Sequence, residues 1–358
     1  MARTIIPFGP QHPVLPEPLH LKLVVEDEIV KEAIPALGYV HRGLEKLAEI
    51  RDYNQMIQIV ERVCGICSMI HSLCYCQGIE EMMGIEVPER AKYLRTIWSE
   101  LHRMHSHLLW LGLFADAFGF EALFMQLWRI RERILDINEA TTGSRVIVSV
   151  NVVGGVRQDL TNEQIAWILS EVKEAEKDIL QIKSTLLEDY TVCKRTKGVG
   201  VMTKEQAYDL GAAGPTLRGS GVASDMRLLK YAAFDKIDFE PIVETSGDCW
   251  ARSTVRFRET LQSVDLVRQA IAGLPKGDIS VPVKGNPEGE LVTRVEQPRG
   301  ECLYYLKGNG KKFLERVRIR TPTFANIPTL LTMLPNCELA DVPVIVLSID
   351  PCISCTER

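Results

Sequence analysis

The chain has 358 residues, 46% hydrophobic and 25% charged, with a formal net charge of −5. That length can enclose one large core, and the balance is ordinary for a globular protein. Net acidity without a Lys/Arg-rich stripe excludes a dedicated nucleic-acid binder. The opening MARTIIPFGPQHPVLPEP has no apolar signal-like region, so a reducing compartment is expected, where clustered cysteines mean metal or redox chemistry.

Along the chain, residues 19–31 alternate apolar and polar, the period of a half-exposed β-hairpin. From Leu44 to Asn54 the pattern is helical, and the helix is expected to continue toward the first cysteines. Residues 89–138 predict one or two long helices, with Leu94, Ile97, Trp98, Leu101, His105, Leu108 and Leu109 recurring at helical spacing. Leu108 to Trp128 is apolar enough to suggest a membrane span, but it contains Asp116 and Glu121. A charge near the bilayer centre costs roughly 3 kcal/mol, so a buried helix is the better reading. His102, His105 and His107 do not all share one helix face and are read as core.

Thr161 and Gln164 make a capping box ahead of a helix from Asn162 to about Asp189. Ala251 to Ala272 is another helix, closed by Gly273 and Pro275. Residues 279–320 have β texture, with turn signals at Gly285-Asn286 and Gly308-Asn309-Gly310. Val342 to Ile349 is a short β-branched run leading to the last cysteines. The expected fold is α+β and helix-dominated: one domain over 1–358, with a β-hairpin at about 19–31, a central long-helix bundle at about 44–273, and a β-rich, metal-bearing segment at about 276–358.

Two cysteine pairs carry the chemistry. Cys64-x-x-Cys67 lies in ERVCGICSMIH, residues 61–71, and Cys352-x-x-Cys355 in DPCISC, residues 350–355. A Cys-x-x-Cys turn can aim both sulfurs at one metal, and two turns supply four soft thiolates. Four thiolates suit structural zinc or an iron–sulfur cluster as well as nickel. Against a zinc ribbon, whose pairs sit about 15–20 residues apart, these pairs are separated by most of the chain. The other cysteines, Cys74, Cys76, Cys193, Cys249, Cys302 and Cys337, are read as small buried hydrophobes.

The motif Arg62-Val-Cys64-Gly-Ile-Cys67-x-x-x-His71 resembles the first signature of nickel–iron hydrogenase large subunits, and Asp350-Pro351-Cys352-x-x-Cys355 resembles their last. GPQHP (9–13), GYVHRGLEKL (38–47), MGIEVPERAKYLR (83–95) and SHLLWLG (106–112) are similar to the quinone-site large subunit of respiratory complex I. Together they resemble the energy-converting, group 4 (Ech-type) hydrogenases, which implies a NiFe hydrogenase large-subunit-like fold.

The resemblance implies that all four cysteines bind nickel, with Cys67 and Cys355 also bridging to an iron that carries CO and two cyanides. Glu17 corresponds to a glutamate relaying protons from a terminal thiolate, here Cys352. Arg299 corresponds to an arginine over the cyanides, and His71 to a donor toward a bridging thiolate. Asp350 would steady the last turn near the diatomics. Glu45 matches a carboxylate that binds a magnesium or iron ion in many relatives. The histidine expected to share that ion is replaced by Arg358, which has no lone pair to offer, so the extra ion is in doubt and Glu45 is expected to pair with Arg358 or Arg42.

The implied function is reversible interconversion of H2 with protons and electrons. No cysteine set remains for an iron–sulfur cluster in this chain, so a small subunit with a 4Fe–4S cluster is implied. By resemblance, ferredoxin-like, antiporter-like and quinone-channel-like subunits would join it, with ferredoxin as redox partner, at the cytoplasmic face of a membrane. Two alternatives are a cofactor-free, complex I-like quinone-site subunit and a structural zinc or iron–sulfur protein.

Overall fold

The structure, a computed structural model, describes residues 3–358. The chain opens with three antiparallel strands in the order β1 (Thr4–Phe8), β2 (His20–Glu26), β3 (Ile29–Ala36). The β2–β3 hairpin follows from its alternation: Leu21, Leu23 and Val25 are buried while Lys22 between them is exposed. Asp27 and Glu28 reverse the chain, both at positive φ, as a tight primed turn requires. β1 has no sequence signature because it buries only Phe8 and joins β2 through its backbone.

Next come α1 (Leu44–Glu49), α2 (Met56–Glu61), α3 (Ser68–Met83), α4 (Glu89–Ala117) and α5 (Glu121–Thr142). The helix beginning at Leu44 does not run on to the cysteines. It breaks at Ile50, and Asp52 forms a β-bridge with Phe313 before α2 begins. The segment 89–138 is two helices, parted at Gly119 with φ 83°. Among the described residues no helix is long and apolar enough to cross a membrane; the apolar stretch at 108–128 is split between α4 and α5.

A small ribbon, β4 (Asn151–Val152) and β5 (Gly155–Val156), leads to α6 (Asn162–Gln181), whose Thr161/Gln164 capping box forms as expected. The chain continues through α7 (Lys183–Leu187), α8 (Tyr190–Thr196), α9 (Lys204–Asp209), α10 (Gly214–Arg218) and α11 (Cys249–Ala272). A meander of β6 (Glu288–Gln297), β7 (Gly300–Asn309) and β8 (Arg316–Arg320) follows. Its first reversal is at Pro298-Arg299, and Gly308 lies inside β7 opposite Gly289 rather than in a turn.

The last part of the expected β-rich segment is helical: α12 (Pro322–Met333), α13 (Val342–Ser348) and α14 (Ile353–Glu357). α13 is β-branched yet helical because its side chains are buried, packed against α4 and α11; burial outweighs a helix propensity difference of about 0.5 kcal/mol per residue. α4 lies at the centre, buried for most of its length and in contact with α3, α5, α11 and α13.

Candidate metal centre

The first cysteine turn is held between two helices. Cys64 follows α2, and Cys67 caps the start of α3. The second follows α13: Asp350 adopts φ 56°, strained for a non-glycine residue, and Cys352 then caps α14, which contains Cys355. All four cysteines are buried. Cys64 Sγ lies 3.2 Å from Cys352 Sγ, and Cys67 Sγ 3.3 Å from Cys355 Sγ. The sulfurs of Cys64, Cys67 and Cys355 all lie within 4.8 Å of one another. Opposite ends of the chain therefore meet in one buried sulfur cluster.

Side chains from elsewhere brace both turns. Arg42 bridges them: one guanidinium nitrogen donates to the Arg62 carbonyl at 2.9 Å, another to the carbonyls of Val63 at 2.9 Å and Ser354 at 2.8 Å. His105 Nε2 donates to the Ile66 carbonyl at 3.1 Å, a tautomer fixed by Arg131, whose Nε donates to His105 Nδ1 at 3.3 Å. His105 is thus more than packing, although His102 and His107 are buried in the core as read.

The last turn has further holds. Glu17 accepts from the Ser354 N–H at 2.9 Å and from the Ser354 hydroxyl. Thr323 Oγ1 accepts from Cys352 N at 3.2 Å, and Thr321 Oγ1 donates to the Cys355 carbonyl at 3.1 Å. The Glu357 carboxylate accepts from the N–H groups of Gly38 and Val40.

Around the sulfurs, His71 Nε2 lies 3.4 Å from Cys355 Sγ, and its Nδ1 is 2.7 Å from Tyr304 Oη. Arg299, in the β6–β7 turn, pairs with Asp350 at 2.8 Å, donates from Nε to the Asp350 carbonyl at 3.1 Å, and reaches Ser106 Oγ at 3.4 Å. Glycines allow that turn to sit so deep. A Cβ on Gly214 (φ 63°) would stand 2.2 Å from the Arg299 carbonyl oxygen, and one on Gly300 2.5 Å from Gly214 N.

Electrostatics match a cation-binding cluster. Hydrogen bonds from Cys352, Cys355 and Cys67 hold the Cys64 thiol well below its usual range, while burial pushes Cys67 and Cys355 up. Burial also opposes the charge on Arg299, but Asp350 and the sulfurs of Cys352, Cys64 and Cys67 outweigh it and hold the guanidinium charged. Without a cation, burial and mutual repulsion oppose full ionisation of four thiols. Thiolates bound at about 2.3 Å to one ion stand at most about 4.6 Å apart; the Cys64–Cys352 and Cys67–Cys355 pairs lie inside that limit, and an all-sulfur donor set selects a soft or borderline metal.

The structure brings together the four cysteines, His71, Arg299 and Asp350, with Glu17 one residue removed on Ser354. Glu45 is not free for an ion: it pairs with Arg358 at 3.0 Å and Arg318 at 3.2 Å, and accepts from Ile319 N at 2.9 Å. Of the two expected partners it is Arg358, because Arg42 is occupied by the cysteine-turn carbonyls. Cys74, Cys76, Cys249 and Cys302 are buried, while Cys193 and Cys337 are half-buried. Sequence reasoning missed Arg42, His105, Tyr304, Thr321, Thr323 and Glu357. Most of these act on backbone groups far away in sequence, which leave no pattern; only the GYVHRG block pointed near Arg42.

Residues 42–114 match the family described as nickel-dependent hydrogenase, and residues 117–286 and 282–358 match that of the respiratory-chain NADH dehydrogenase 49 kDa subunit. The chain is 39% identical to the carbon monoxide-induced hydrogenase of Rhodospirillum rubrum, covering 100% of both chains. It is 38% identical to the membrane-bound hydrogenase subunit alpha of Pyrococcus furiosus, covering 99% of this chain and 87% of that one. A solved subunit of the membrane-bound sulfane sulfur reductase, an archaeal respiratory membrane complex, superposes with a TM-score of 0.95 at 32% identity, covering 99% of this chain and 98% of that one. These likenesses make it an oxidoreductase-type subunit related to components of membrane respiratory complexes. By sequence and fold together, the chain belongs to the family of group 4 (energy-converting) NiFe hydrogenase large subunits, related to the quinone-site large subunit of respiratory complex I.

Proposed function

We propose that this chain is the catalytic large subunit of a membrane-bound energy-converting hydrogenase, interconverting H2 with protons and electrons. Likeness alone does not separate this reading from its rivals, since the chain's relatives also include complex I-type subunits. The observation that carries it is the convergence of Cys64, Cys67, Cys352 and Cys355 in one buried cluster.

A nickel–iron centre with iron-bound CO and cyanides, which these four thiolates would hold, with Cys67 and Cys355 also serving the iron, would supply the two-electron chemistry of H2. The protein's own residues supply the rest. His71 donates from Nε2 toward Cys355 Sγ, its ring oriented by Tyr304, and so steadies that thiolate. Arg299, charged and anchored by Asp350, presents a fixed positive group to the sulfurs. Glu17 is the proton acceptor of this reading: it is half-buried and accepts from the N–H and hydroxyl of Ser354, the residue between Cys352 and Cys355 in sequence.

Electrons must pass to a small subunit with a 4Fe–4S cluster, since the remaining cysteines do not form another four-sulfur set. Ferredoxin-like, antiporter-like and quinone-channel-like subunits complete the assembly at the cytoplasmic face, coupling ferredoxin to ion translocation. An additional magnesium or iron ion at Glu45 is not proposed.

Metal analysis together with an infrared spectrum tests the reading. Nickel and iron in near-equal amounts, with CO and cyanide bands, support it. Zinc alone supports a structural site, and no metal supports a quinone-site subunit.

A further inference from the structure

Away from the sulfurs, α4, α10, α11, β6 and the single helical turn at 226–229 enclose a cluster of ionisable side chains. Glu100, Arg103, Arg218, Asp225, Arg227, Glu259 and Glu296 are all buried. Arg218 pairs with Glu296 at 2.7 Å, Glu259 at 2.8 Å and Asp225 at 3.3 Å. Arg227 pairs with Asp225 at 2.8 Å and Glu100 at 3.3 Å, and Arg103 with Glu100 at 3.2 Å. Three guanidiniums thus face four carboxylates.

His107, the other titratable group in contact, does not restore the balance. Burial pushes it down to about 4, so it is neutral and gives its Nε2 proton to Glu259 at 3.0 Å. Arg256, one turn before Glu259 on α11, feels the Glu259 charge but forms no ion pair with it; it lies 4.0 Å from Asp350 and is stacked over Trp110. One carboxylate in the cluster is therefore in excess, and an unneutralised buried charge is costly.

Geometry says which one. Glu100 has two guanidiniums and the Ser263 hydroxyl, Asp225 a two-pronged Arg227, and Glu259 both Arg218 and His107. Glu296 has only the Arg218 Nη1 that Asp225 also approaches, plus the Met226 N–H at 2.9 Å. Of the other groups facing it, Arg103 takes the Glu296 carbonyl at 3.0 Å, and Tyr231 Oη accepts from the Glu296 N–H at 3.2 Å. The Arg218 Nη1 gives its other hydrogen bond to the Ser224 carbonyl at 2.8 Å, and two carboxylates this close to one guanidinium nitrogen cannot both stay ionised cheaply.

We propose that Glu296 carries one exchangeable proton near neutral pH, making this cluster a proton store that fills and empties through residues 223–230. That segment reaches solvent: Glu296 accepts from the Met226 N–H, while Leu228, Leu229 and Lys230 are exposed. Burial and Asp225 push Glu296 up to about 7, against Arg218 and Arg103. The store is separate from Glu17 and stands whether or not the thiolates hold nickel.

Infrared difference spectra of the intact complex, taken between about pH 5.5 and about pH 8.5 to bracket the transition, test it. A carboxylic-acid carbonyl band should vanish as pH rises and be missing from Glu296→Gln. In Asp225→Asn, with the like charge removed, the midpoint should fall by about one pH unit. Thermal stability reads the same group. A carboxyl titrating above its unfolded value adds stability at acid pH that is lost as pH rises through about 7, so the Tm of Glu296→Gln should fall less over this range. No band, a band that survives Glu296→Gln, or an Asp225→Asn midpoint that stays put overturns the proposal.

Discussion

The two cysteine turns reach the same cluster by different physics. The first is built into the helical core: α2 delivers Cys64, α3 starts at Cys67, and a histidine–arginine pair from α4 and α5 braces Ile66. The second lies on a helix of five residues, which has almost no stability of its own. It is kept in place by separate polar contacts from Glu17, Arg42, Thr321, Thr323 and the 38–40 segment. Remote side chains brace both turns, but only the first is also anchored on a long helix of its own, α3.

That contrast can be broken or sharpened by substitution. The largest effect is expected from Cys352→Ser, which removes a proposed ligand from the last turn and should abolish nickel retention and H2 activity. A fully active variant would overturn the ligand assignment. Glu17→Gln keeps an acceptor for Ser354 but cannot take a proton. H/D exchange between H2 and D2O should slow by about 100-fold with metal content intact, and unchanged exchange would remove Glu17 from the proton path.

Arg42→Met removes the bridge while leaving every ligand in place. Metal affinity should fall by about 10-fold, and amide exchange should quicken in 353–357 but not in α3. Equal quickening in both would show that the turns are not held differently. The smallest effect concerns Glu45. Burial works against its charge, but the Ile319 N–H, Arg358 and Arg318 outweigh it and hold Glu45 below the usual carboxylate range. Its contribution to stability is therefore present at neutral pH and lost as pH falls through that lowered value. In Arg358→Met that loss should be smaller and complete at a higher pH in an acid series of Tm measurements.

The same contrast explains what could be read in advance. That Cys64, Cys67, Cys352, Cys355 and His71 would meet was legible because the paired Cys-x-x-Cys spacing and the register of His71 restrict residue type and position. The Thr161 cap, the stripe of α6 and the β2–β3 alternation were legible because one face of each is buried and the other is wet. β1 and α13 were not: the first is paired by its backbone alone, and the second is buried on all sides, so neither has a period to detect. Arg42 and the Glu296 cluster escaped for a third reason. They depend on residues from distant segments meeting in space, and a charged side chain in a list of residues looks the same whether it is solvated or enclosed.

Arg358 against Glu45 has one more consequence. A counter-ion grafted onto the polypeptide is present once in every molecule and sits at high effective concentration beside its carboxylate. Chelators cannot strip it, and swings in the cell's supply of divalent metals do not change its occupancy. This joint between the two ends of the subunit is thus insulated from the ionic composition of its surroundings.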